Sequence, residues 1–160
     1  MFKKYLYVFL ISMVPIVELR GAIPFSQAIG LPLIPSYILA IIGNMIPVPF
    51  IYFFARKLLN WMSERPSVIG KAGTLLLQKG ERGGKTLEKK AGKNGIFLAL
   101  LLFVGIPLPG TGAWTGTLAA SILDMDFKSS VLAVLLGVLL AAVIMGVGSL
   151  IVINGVQLFA

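Results

Sequence analysis

The stretch Pro15-Ile16-Val17-Glu18-Leu19-Arg20-Gly21-Ala22-Ile23-Pro24 sets a carboxylate and a guanidinium two residues apart, between two prolines. Upstream lies the apolar run YLYVFLISMV (5–14), and downstream no charge appears from Gly21 to Ala55. How the chain carries two ionisable groups through its most apolar region decides the fold.

The chain has 160 residues, of which 58% are hydrophobic and only 12% charged. Soluble domains are about 25% charged, so this composition belongs to the membrane class. The uncharged runs 21–55, 96–123 and 129–160 each exceed the roughly 20 residues that cross a bilayer core of about 30 Å. No room remains for a soluble domain, so residues 1–160 are read as one multi-pass domain in the cell membrane.

Cysteine and histidine are absent, which removes disulfides, thiol nucleophiles and the usual zinc and haem ligands. Of the six acids, Glu64, Glu81 and Glu88 fall in a basic stretch, and Asp124 and Asp126 sit beside Lys128 at a corner between apolar runs. Only Glu18 follows an apolar arm too short to span. Membrane enzymes need paired acids, a histidine or a nucleophile–base set in a pocket. Neither an enzyme, a metal site nor a cofactor is expected.

Ten Lys or Arg face three Glu between Arg56 and Lys93. Such a balance can signal nucleic acid, but in this setting it reads as a cytoplasmic connector obeying the positive-inside bias. It is also suited to anionic lipid head groups. Membrane lipids are the expected partners; nucleic acid is not, and a homo-oligomer is left open.

Three other patterns are set aside. MFKK before YLYVFLISMVPIV, with Ser26-Gln27-Ala28 beyond, has the outline of a cleavable signal, but Glu18 and Arg20 interrupt it and apolar sequence continues. GERGGKT (80–86) falls one residue short of a phosphate-binding loop and is expected to be a mobile loop. Gly112 and Gly116 match the small-xxx-small spacing of close helix packing, which leaves the prolines before them unexplained.

Tyr5 to Val17 spans about 20 Å as a helix, too short to cross. The expected order is a helical leg in, a broken turn at Glu18, Arg20 and Gly21, and a leg out from Ala22 to Leu31. A full-length helix over 33–55 follows, kinked near Asn44, Pro47 and Pro49 and stopped by Arg56 and Lys57. The second half repeats the order. A short leg (96–106) is broken by Pro107, Pro109, Gly110 and Gly112, then come a return leg (113–123), an exposed corner at 124–126, and a full-length helix over 130–153. Gly21-Ala22 echoes Gly112-Ala113, and Leu39 to Ile42 echoes Leu132 to Leu135.

The expected fold is therefore all-α, an inverted repeat of re-entrant helical hairpin plus transmembrane helix. Residues 1–57 form the first repeat, 58–93 the basic cytoplasmic connector and 94–160 the second repeat. A parallel repeat with four crossings is the rival, and it satisfies Lys3 and Lys4 better. The inverted form is preferred because it lets the two broken turns meet.

ELRGAIP (18–24), IPLPGTGAWTG (106–116) and GN-x-x-PVP (43–49) closely resemble the signatures of the small multidrug export protein family. This resemblance covers nearly the whole chain. It implies a distant kinship to the DedA and VTT-domain membrane proteins, with paired re-entrant hairpins and roles in moving lipid-phosphate carriers or scrambling lipids.

Ionisable groups deep in a membrane cost about 2.5–3.5 kcal/mol each and typically line pathways. Burial disfavours a charged carboxylate and a nearby guanidinium favours it, so Glu18 is the candidate proton site. Arg20 suits an anionic head group through its planar fork. Gly21 and Pro24 shape the first turn. Pro107, Pro109, Gly110, Thr111, Gly112, Trp114, Thr115 and Gly116 shape the second and complete a polar cavity. The bland alternative is that each charge pairs with another buried group and pins the hairpin tip. The functional expectation is a carrier of an amphiphilic or lipid-like substrate with an anionic head, with proton coupling through Glu18. The alternatives are a non-transporting lipid- or partner-binding module supporting membrane integrity, and an exporter of cationic drugs drawn to Glu18.

Overall fold

Two turns, each a proline followed by a residue of positive φ, stand at matching places in a mostly helical chain. A computed structural model describes residues 2–66 and 68–159. Among them run seven helices: α1 (Phe2–Met13), α2 (Glu18–Ala28), α3 (Leu33–Met45), α4 (Pro47–Ser63), α5 (Val68–Gly105), α6 (Ala113–Ile122) and α7 (Phe127–Phe159). Gly92 (φ 68°, ψ 174°) breaks α5 into arms 68–91 and 93–105.

Two spans, Leu33–Ser63 with 31 residues and Phe127–Val152 with 26, are long and apolar enough to cross a bilayer. The first passes through Ile46, which keeps helical dihedrals (φ −58°, ψ −45°) although Pro47 and Pro49 withdraw two backbone donors. Phe50, Phe53, Phe54, Leu132 and Val143 are exposed on these spans, where acyl chains would cover them.

The two halves share local chemistry at a constant displacement of 94 residues. Pro15 and Ile16 (φ 74°) match Pro109 and Gly110 (φ 81°). α2 and α6 both end in Schellman motifs: Gly30 and Leu31 donate to Gln27 and Ser26, and Asp124 and Met125 donate to Ser121 and Ala120. Gly30 (φ 71°) and Asp124 (φ 59°) hold the left-handed positions. The next helices open on Pro32 and Asp126, whose carbonyls accept from the buried Ser36 and Ser130 hydroxyls at 2.8 and 2.7 Å. Gly43 and Gly137 then let the long helices touch the backbone of α1 at Phe9 and of α5 at Leu101. Packing follows suit: α2 lies against α1, α3 and α7, while α6 lies against α5, α7 and α4.

Several expectations are corrected. Glu18, Arg20 and Gly21 are not a broken turn; they open α2, and the break lies at residues 14–17. The matching is not Gly21-Ala22 with Gly112-Ala113, because Gly21 lies inside α2 and Gly112 just before α6. The helix expected over 33–55 does not end at Arg56 and Lys57 but runs on to Ser63. Residues 80–86 are helical rather than a mobile loop. Their glycines serve contact: Gly80 and Gly84 bring the basic arm against the carbonyls of Ile122 and Leu123, where a Cβ would collide.

Candidate functional site

The second break is built by its glycines. Leu108-Pro109-Gly110-Thr111 is a type II turn, with proline second, Gly110 at φ 81°, and the Thr111 N–H donating to Leu108 at 3.2 Å. Gly112 follows at φ 144°, ψ −173°, a region essentially restricted to glycine. The break thus leaves bare carbonyls at the end of α5 and bare N–H groups at the start of α6, which must find partners.

Glu18 and Arg20 supply them. The Glu18 carboxylate, 4% exposed, accepts the backbone N–H groups of Ala113 at 3.1 Å and Trp114 at 3.0 Å. Negative charge is thereby held at a helix N-terminus, where the macrodipole favours it. Arg20 turns to the other end and donates to the carbonyls of Leu108 at 2.6 Å, Val104 at 2.9 Å and Ile106 at 3.2 Å. Positive charge near a helix C-terminus is the complementary arrangement. The ELR spacing thus braces both sides of one break. Glu18 reaches α6 from a left-handed backbone (φ 49°), a conformation costing a non-glycine residue about 1–2 kcal/mol.

Trp114 returns the contact. Its indole Nε1–H donates to the carbonyl of Met13, the last residue of α1, at 3.2 Å. Arg20 and Trp114 stand 94 residues apart, at the same displacement as the turns, and each caps the first helix of the other half.

Of the expected site residues, Glu18, Arg20, Thr111, Gly112 and Trp114 come together. The Thr111 hydroxyl lies 2.9 Å from the carbonyls of both Ile106 and Leu108, which it shares with Arg20. Gly116 packs on Val104, Thr115 is exposed and turns its hydroxyl to Gly112, and Pro107, Pro109 and Gly110 shape the turn. Gly21 and Pro24 lie within α2 and make no hydrogen bond to the brace among the described residues. In the sequence Asn44 marks only a kink, yet it is 2% exposed and its amide oxygen has no partner among the described residues. Its Gly-Asn setting ahead of Pro47 and Pro49 is the signal that could have singled it out. At the far end of the bundle, Arg56 pairs with Asp124, the Tyr52 hydroxyl donates to Met125, and the Ser121 hydroxyl donates to Tyr52 at 2.9 Å.

The chain belongs to the family described as "Putative small multi-drug export protein", which matches residues 18–144. The match opens at Glu18 and includes the second break whole. Neither a curated protein nor a solved structure matches the chain. Family membership and the two apolar spans make this a membrane protein, and the family's name is that of a transporter rather than an enzyme.

Proposed function

We propose that the protein is a small carrier for an amphiphilic or lipid-like substrate with an anionic head group, coupled to proton uptake at Glu18. One observation carries this reading: a buried carboxylate occupies the N-terminal N–H groups of α6. Such a helix terminus is a ready anion site, and the carboxylate there stands where a substrate phosphate or carboxylate would sit. A proton on Glu18 weakens its hold on the two N–H groups, and an incoming head group takes its place beside the Arg20 fork. The glycine-rich turn 108–112 permits the movement.

The two halves are read as oppositely oriented re-entrant hairpins, each followed by one crossing, with the basic stretch 58–93 on the cytoplasmic side. The 94-residue displacement and the reciprocal caps support this arrangement. The rival is a non-transporting lipid-binding module, favoured by the backbone partners that both charges already have. Export of cationic drugs is the third reading; the family's name favours it, with Glu18 as the attracting group.

The test is purified protein in liposomes carrying fluorescent anionic lipid, fluorescent zwitterionic lipid or a cationic dye, each under an imposed pH gradient. A carrier of the proposed kind moves the anionic probe fastest and responds to the gradient. Protein-independent rates for all three probes would leave the non-transporting module, and preferential dye movement would leave the drug exporter.

A further inference from the structure

Away from the brace, α5 and α6 enclose an apolar groove of about 240 Å³. It runs from Leu87, at the end of the basic arm, past Gly95 and Ala99 to Phe103, with Ala119 and Met125 forming the other wall. That volume is below the roughly 300–1,000 Å³ of sites enclosing drug-sized ligands, and an elongated apolar slot suits part of an acyl chain. The helix that carries its Leu87 and Ala91 end is charged around them. Lys85, Lys89, Lys90 and Lys93 are exposed where the helix breaks at Gly92, against Glu88 alone in that segment. None of these lysines is ion-paired among the described residues. The acids of the nearby corner are engaged elsewhere, Asp124 by Arg56 and Asp126 by Ser129.

The geometry points to a bound anionic phospholipid: one acyl chain in the α5–α6 groove, its phosphate among Lys89, Lys90 and Lys93. The ends of the groove match the ligand. Leu87 and Ala91 lie on the basic arm, and Ile96 to Phe103 lie on the apolar arm, so a chain entering the groove leaves its head group beside the lysines. Lysine near an anionic head group gains affinity by simple charge attraction. The Glu18–Arg20 brace contributes nothing to this site, which does not depend on whether the protein transports.

Native mass spectrometry of detergent-purified protein tests the proposal, with phosphatidylglycerol and phosphatidylcholine of identical chains as probes. Wild-type protein is expected to retain phosphatidylglycerol preferentially. Replacing Lys89, Lys90 and Lys93 by glutamine should lower that retention at least about tenfold and abolish the preference. Ala99→Phe, which fills the groove, should lower retention with the lysines intact and the melting temperature unchanged. If that variant does not fold, Ala119→Leu fills the opposite wall and is read in the same way. Equal retention of the two lipids by wild-type protein, or undiminished retention in a folded groove-filled variant, overturns the proposal.

Discussion

The Glu18 carboxylate occupies the space that a side chain at Gly112 would fill: a Cβ built there collides with both carboxylate oxygens and the carbon between them. An acid in one half of the chain therefore requires a glycine in the other. Gly112→Ala faces this collision and an unfavourable φ of 144° together, so a loss of about 2–4 kcal/mol is expected. At Gly110, with φ 81° and nothing within 4 Å of a Cβ, alanine carries the backbone cost alone, about 1 kcal/mol. Thermal melts in detergent check the order; equal losses would mean that Glu18 does not crowd Gly112.

Ile16 is a β-branched residue at φ 74°, 92% exposed, where the second turn has Gly110. It has little packing to lose. Ile16→Gly should stabilise the protein by about 1 kcal/mol through relief of the left-handed strain. A lower melting temperature would mean that the Ile16 side chain contributes something the fold leaves unseen.

Arg20 and Trp114 cap opposite halves with unequal numbers of bonds. Trp114→Phe removes one donor to Met13 and should cost about 1 kcal/mol. Arg20→Met keeps much of the stem's packing but removes the charged donor from the carbonyls of Val104, Ile106 and Leu108, the last two of which keep the Thr111 hydroxyl, and should cost more. The comparison is made by melting both variants side by side, and a larger loss at Trp114 would contradict the assigned caps.

Asp126 caps α7 by accepting the backbone N–H of Ser129 at 3.0 Å. That bond, joined by the Ser129 hydroxyl and Lys128, outweighs partial desolvation and holds its pKa below the usual carboxylate range. A carboxyl group with a depressed folded pKa contributes stability that is present above its ordinary value of about 3.9 and is lost as pH falls through the folded value. Asp126→Ala should therefore melt below wild type at neutral pH, with the gap closing in acid. A gap that persists at about pH 2.5 would assign the effect to something other than the charge.

The second break was legible because Pro107, Pro109, Gly110 and Gly112 each leave a backbone signal in the sequence. The first was misplaced because its left-handed positions are held by Ile16 and Glu18, residue types that carry no such signal. The conspicuous signal in the sequence is the charge at Glu18 and Arg20, which lies just after the break rather than in it. Its burial was anticipated from the apolar surroundings. Its partners were not, since they are backbone groups 95 and 96 residues away. The same blindness hid the helical basic arm: glycines that read as breaks in GERGGKT are contact points against α6, and only the packed structure tells the two apart.

The orientation of the halves is open to labelling, since the chain has no cysteine of its own. Single cysteines in 71–93 should react only from the cytoplasmic side, with an N-terminal cysteine outside and one at Asp124 inside. An N-terminus on the same side as the basic arm would support the parallel arrangement instead.

Proton coupling in the proposed carrier requires that Glu18 release α6 when it takes a proton, and Glu18→Gln in liposomes removes that step. Glutamine keeps the shape and one acceptor but cannot exchange a proton, so some loss of stability, about 1–3 kcal/mol, is expected from the weakened cap. The folded variant, verified by its melt, should still bind the anionic probe yet show no acceleration by a pH gradient that drives the wild-type protein. A folded Glu18→Gln protein that moves the probe with wild-type dependence on the gradient would contradict the account.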